Sequence, residues 1–251
     1  MTSLQTPRRR RSWLDVAAIA AVGVALLLAF ASPPEATQGN VARLFYIHVP
    51  TVLAAYACFV LVLVGGVVYL VTRRRGWDHL AVSAAEIGVL FSGIFIGAGM
   101  IWAKPTWGVY WTWSARLTLT AVMFFAYLGY LALRRAIQDP EARARRAAYY
   151  GIVSIALIPI VHFSVLWWRD VHQPPTLLRP DEMQIDGALL VPFFAGLVAY
   201  SIVAAALLLR RYRLAVLETE LDDRLRSGAG GVAGDAVTAP AIGSPRGEES
   251  P

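Results

Sequence analysis

The segment Trp102-Ala103-Lys104-Pro105-Thr106-Trp107-Gly108-Val109-Tyr110-Trp111-Thr112-Trp113-Ser114-Ala115-Arg116 holds half of the chain's eight tryptophans. Indoles often anchor span ends at a membrane interface, where one or two per helix end suffice. Four tryptophans and a tyrosine within twelve residues exceed that need and equally suit the face of a flat apolar ligand. A porphyrin fits such a surface, because its apolar plane stacks on indoles while its propionates need a cation such as Arg116 or Lys104. Only four histidines exist. His48, in Tyr46-Ile47-His48-Val49-Pro50, and His172, in Asp170-Val171-His172-Gln173-Pro174, fall at the ends of apolar runs on the same expected side as the tryptophans. Two imidazoles approaching a plane from opposite faces is what six-coordinate haem iron requires. Taken singly, each histidine is better explained as a surface or interface residue, and only together with the aromatic segment do the two point to a ligand.

The other polar residues offer less. His162 lies within an apolar run, where a polar group usually packs against another helix through a hydrogen bond, although a supporting ligand contact fits too. His79 reads as a solvated loop residue. Glu86 is an intramembrane carboxylate, a functional suspect by default, yet shallow enough to reach the interface or an arginine. Trp167-Trp168 marks a span end and either anchors it or adds to an aromatic floor. Several chemistries are excluded: there is no GxxxxGK[ST] loop, no nucleophile signature, and no buried acid pair of a proton pump. With Cys58 as the single cysteine there is no CxxCH attachment site, so any haem must be held without a covalent bond.

These residues need elements to position them, and composition points to a bilayer. The 251 residues are 57% hydrophobic and only 16% charged, with a mean hydropathy of +0.53. Apolar runs at 13–31, 44–72, 80–101, 116–133, 147–167 and 188–209 each approach the ~20 residues that cross a ~30 Å core. The expected fold is therefore an all-α integral membrane bundle of six spans. Net charge is +6, but the arginines sit in clusters between the runs, not in one stripe, so nucleic acid is not an expected partner. Of the 23 Lys and Arg, 18 fall at residues 8–11, 73–75, 134–146, 210–226 and 246. The positive-inside rule then places both termini in the cytoplasm and loops 32–43, 102–115 and 168–187 outside. The first run is long and is followed by Ser32-Pro33-Pro34, which reads as a span and not as a cleaved signal. The chain divides into a basic N-terminus 1–12, a membrane domain 13–213 with the aromatic loop 102–116, and a tail 214–251. After Arg226 the tail turns Gly-, Ala-, Ser- and Pro-rich and is expected to be largely disordered.

Trp107-Gly108-Val109-Tyr110-Trp111-Thr112-Trp113-Ser114-Ala115-Arg116-Leu117-Thr118 resembles the tryptophan-rich signature of the haem-handling proteins of cytochrome c biogenesis. Gln38-Gly39-Asn40, Tyr46 to Pro50, His162-Phe163-Ser164-Val165, Trp167-Trp168 and His172-Gln173-Pro174 are similar, in pattern and order, to its smallest branch, the C proteins of cytochrome c maturation. The similarity covers roughly residues 38 to 210. It implies a bacterial inner-membrane protein that binds haem b, non-covalently and transiently, on the extracytoplasmic side, and that performs no bond-making of its own.

Carried over, the resemblance makes His48 and His172 the axial iron ligands, with Trp107, Tyr110, Trp111, Trp113 and Arg116 binding the macrocycle. It implies a periplasmic haem chaperone, A and B subunits of an ATP-binding cassette complex and a small single-span D subunit as partners. Two alternatives remain: a haem lyase of the same superfamily, and a membrane scaffold whose tryptophans only anchor it. Ser114 departs from the signature, which usually has aspartate there. Serine can accept a hydrogen bond but cannot form a salt bridge, and the site is expected to survive the change.

Overall fold

The computed structural model describes residues 13–168, 172 and 187–237. The basic stretch 1–12, most of the expected loop 168–187, and residues 238–251 lie outside the described residues. The elements run in the order α1 (Trp13–Ala31), a single-turn helix (Asn40–Leu44), α2 (Phe45–Thr72), α3 (Arg75–Trp107), α4 (Ala115–Ala136), α5 (Pro140–Ser154), α6 (Leu157–Trp167) and α7 (Gly187–Val237). Helices α5 and α6 form one apolar stretch, Pro140–Trp167, interrupted at 155–156, and six stretches in all are long and apolar enough to cross a bilayer. Among the described residues there is no strand, only one isolated bridge between Glu35 and Gly39. The protein is an all-α, multi-pass membrane protein.

Two compact units divide the chain, Met1–Tyr212 and Arg213–Pro251. Helix α7 runs on to Val237, past the point where composition leads one to expect an unstructured tail. Leu214, Leu217, Leu221 and Leu225 recur at helical spacing among strong helix formers in the stretch before Arg226, and the helix continues from there.

In the first unit, α2 packs along α3 and α5, while α4 lies against α3, α5 and α6. Phe59 of α2 and Tyr127 of α4 stack with ring centroids 3.5 Å apart, surrounded by Val62, Phe91, Met123 and Tyr130. Lipid offers apolar side chains no less than a core does, so close backbone approach and polar pairing must hold the helices together. Gly65 supplies the approach: a Cβ there would lie 2.8 Å from the Trp77 carbonyl oxygen of α3. By contrast α1 turns most of its apolar side chains outward, Val16, Ile19, Val24, Leu27 and Phe30 among them.

Ion pairs gather at the arginine-rich ends of the helices. Arg134 of α4 makes a bidentate contact with Asp78 of α3, at 2.5 and 2.8 Å. Arg211 of α7 pairs with Glu86 of α3, and Arg210 pairs with Asp15 of α1. Glu86 thus finds the arginine its depth allowed. His79 is not a loop residue, because α3 begins at Arg75, and its imidazole packs edge-on to Tyr212 at 6.3 Å. Both partners of the Arg134–Asp78 pair are almost buried, at 9% and 13% exposure, so removing one strands a charge. Asp78→Ala is expected to destabilise the protein by about 3–5 kcal/mol, read as a lowered Tm in detergent. The double variant Asp78→Ala/Arg134→Leu should recover most of that loss, since no lone charge remains.

Candidate functional site

At the opposite end of the bundle the polar side chains are arranged differently. His48 sits one turn into α2, and its Nδ1 lies 2.9 Å from the carbonyl oxygen of Phe95 in α3. A carbonyl only accepts, so Nδ1 donates and the neutral imidazole keeps its lone pair on Nε2. Such a backbone bond fixes tautomer and ring orientation, as it does for histidines that bind metals. Gly99, one turn beyond Phe95, makes room for the ring: a Cβ there would meet His48 Cε1 at 2.8 Å. Phe95, Gly99, Trp102 and Thr106 recur every three or four residues and so share one face of α3. Trp102 lies edge-on to His48, with centroids 5.9 Å apart, and donates from Nε1 to Gln38 Oε1 at 2.7 Å.

The expected aromatic loop 102–116 is in part helical, since α3 continues through Pro105 to Trp107 and only 108–114 links it to α4. Pro105 removes one helical donor but keeps a helical φ, and the helix stops at Gly108, whose φ of 79° closes its last turn. Lys104 donates to the Gly108 carbonyl oxygen at 2.8 Å and lies over the Tyr110 ring. Ser114 takes the capping position of α4 but makes no capping hydrogen bond.

Arg116, in the first turn of α4, reaches across to the middle of α6 and to His172. Its Nη2 donates to the His162 carbonyl oxygen at 2.7 Å, and its Nη1 lies 3.2 Å from His172 Nδ1. Trp107 packs edge-on to His172, with ring centroids 5.8 Å apart.

His48, Phe95, Gly99, Trp102, Gln38, Arg116 and His172 all line one cavity of about 340 Å³. Of the residues singled out from the sequence, His48, Trp107, Tyr110, Trp111, Arg116 and His172 face it. Trp113 does not: it is 82% exposed and touches the group through Trp111, at 6.0 Å between centroids. His162 faces the cavity as well, together with Tyr56, Gly99 and Thr120, which spacing alone did not mark. Trp111 Nε1, Thr112 Oγ1 and Ser114 Oγ are buried without a hydrogen-bond partner among the described residues. Unpaired polar atoms in a buried position are costly, which makes them natural contacts for a polar group entering from outside the chain.

Residues 2–227 match the family described as Heme exporter protein C. The chain belongs to that family. Heme exporter protein C of Haemophilus influenzae is 35% identical over 199 residues, covering 79% of this chain and 80% of its own length. Those of Bradyrhizobium diazoefficiens and Escherichia coli are 33% identical over 205 and 210 residues, covering 82% and 83% of this chain and 78% and 84% of theirs. The family match takes in every element that faces the cavity and stops short of residues 228–251.

Proposed function

We propose that the chain binds haem b non-covalently on the extracytoplasmic side of a bacterial inner membrane and hands it to a periplasmic haem chaperone during c-type cytochrome biogenesis. Membership of the Heme exporter protein C family supports a part in haem handling. The observation that supports the site most strongly is that His48 and His172, 124 positions apart in sequence by their numbers, face the same cavity beside Trp107 and Trp111. His48 and His172 would be the axial ligands, and Trp107, Trp111 and Tyr110 would cover the macrocycle. Arg116 and the unpartnered Trp111 Nε1 are donors suited to propionates. Bound haem supplies no reaction here; the chain's residues hold it, orient it and shield its iron from water.

A cavity near the lower limit of the ~300–1,000 Å³ usual for small-molecule sites encloses only part of a porphyrin. An edge would then stay outside, and the exposed Trp113 and Tyr110 would be the side chains beside it that an acceptor protein can reach. Absence of a covalent link permits release. The arginine clusters at the other end of the helices support the outward orientation of the cavity. Delivery further implies the ATP-binding cassette-type A and B subunits and the small D subunit as neighbours.

The decisive experiment is transfer in vitro. Haem-loaded protein in detergent is mixed with an apo haem chaperone of the periplasmic type, then with apocytochrome c alone. The proposal expects haem to leave for the chaperone while all haem in the donor stays extractable by acidified acetone. A covalent haem–apocytochrome product formed by this chain alone would establish a lyase instead, and protein that never carries haem would leave only a scaffold.

A further inference from the structure

Granted the haem-binding reading above, we propose that Arg116 is a latch on His172, released when a carboxylate of the incoming porphyrin takes the guanidinium. The imidazoles of His48 and His172 are held in opposite tautomers. His48 donates from Nδ1 to the Phe95 carbonyl oxygen and so presents an unprotonated Nε2. His172 meets Arg116 Nη1 through Nδ1 at 3.2 Å. A guanidinium has five N–H donors and no acceptor, so Nδ1 of His172 must be the accepting nitrogen. In the neutral ring the proton then sits on Nε2, and a protonated ring would turn a donor toward a donor beside a second positive charge.

The consequence is steric and chemical at once. Ligation of iron through Nδ1 requires Arg116 to leave that nitrogen. Ligation through Nε2 requires its proton to move to Nδ1, which the Arg116 N–H occupies. Either route needs the Arg116–His172 contact to break first. Arg116 is held in place by a second bond, Nη2 to the His162 carbonyl oxygen at 2.7 Å, so the latch does not open merely by rotation of one side chain terminus. A carboxylate brings a full negative charge and can accept two parallel N–H bonds from the same guanidinium, where the neutral imidazole accepts one, so it competes for Arg116 against His172. Arg116 and both histidines face the cavity, so a propionate that enters with the macrocycle comes within reach. Ligation is thereby ordered, His48 first and His172 second, and drawing the propionate away from Arg116 restores the latch and loosens the iron. Arg116 acts through His172 and is a positioning residue.

The test uses the full-length protein in lipid nanodiscs. In the cargo-free state, magnetic resonance of isotopically labelled histidine, assigned with His48→Gln and His172→Gln, should show His48 protonated on Nδ1 and His172 on Nε2. Two probes are then added: ferric protoporphyrin IX and its dimethyl ester, whose propionates can no longer pair with arginine. Wild type should give a six-coordinate low-spin spectrum with the free acid and a five-coordinate high-spin spectrum with the ester. Arg116→Leu should give the six-coordinate spectrum with the ester as well. A cargo-free His172 protonated on Nδ1, or an ester complex already six-coordinate in wild type, overturns the latch while leaving haem binding intact. Failure of both porphyrins to bind any form overturns the haem reading, and the latch with it. Should Arg116→Leu not fold, the tautomers and the two wild-type spectra decide the matter by themselves.

Discussion

His48→Ala is expected to strip the purified protein of nearly all its haem, with affinity falling by about 100-fold or more. That figure is the upper end of what removing an outer-shell partner of a metal ligand costs, and here the ligand itself goes. His48 is the imidazole whose Nε2 is already unprotonated and aimed by a fixed backbone bond, so no rearrangement precedes its bond to iron. His172→Ala should cost less, because the first ligand and the aromatic cover remain; the expected product is a five-coordinate, high-spin protein with reduced occupancy. Haem per protein, measured as the pyridine haemochrome, separates the two variants. Added imidazole should restore the low-spin spectrum of both, which a folding defect would not allow. Equal haem content in His48→Ala and wild type would remove His48 from the site.

Gly99→Val should produce the second large effect without touching any ligand. A Cβ on residue 99 would stand 2.8 Å from His48 Cε1 and 3.2 Å from Nδ1, and valine adds two methyl groups to that encroachment. The α3 backbone cannot retreat, since Phe95 and Trp102 on the same face pack on the same ring. The imidazole must swing off the Phe95 carbonyl oxygen, losing its tautomer and its aim together. Displacing an orienting bond of this kind costs about 10–100-fold in metal affinity. Gly97→Val is the matched control, because nothing lies within 4 Å of a Cβ at that position of the same helix. The comparison is haem content at equal protein, and equal losses in both variants would point to general disruption of α3 in place of a specific clash.

The six spans were legible because hydropathy is a property of the residues themselves and a bilayer admits few other solutions. Span ends were less so. Trp102 to Trp107 looked like loop because Trp, Lys, Pro and Thr give no periodic signal, yet the segment is the last turn and a half of α3. His79 reads as loop for the same reason, since Arg73 to Asp78 is polar although the helix restarts at Arg75.

Within the site, residue type announces the tryptophans, Arg116, His48 and His172. The partners that aim them are silent in sequence: the Phe95 and His162 carbonyl groups are backbone, and Gly99 looks like any packing glycine of a span. Trp113 shows the opposite failure, since its type fits the cavity but its position on the linker turns it outward. Tertiary placement, invisible to spacing, decides which aromatic residues cover a ligand and which stand at its edge.

The central claim is that one iron atom lies between His48 and His172. Electron–nuclear double resonance of the ferric, haem-loaded protein, prepared with isotopically labelled histidine, tests it most directly. The expected result is hyperfine coupling to two histidine nitrogens, one of which disappears in His48→Ala and the other in His172→Ala. A spectrum with no histidine coupling, or one unchanged by both substitutions, would contradict it.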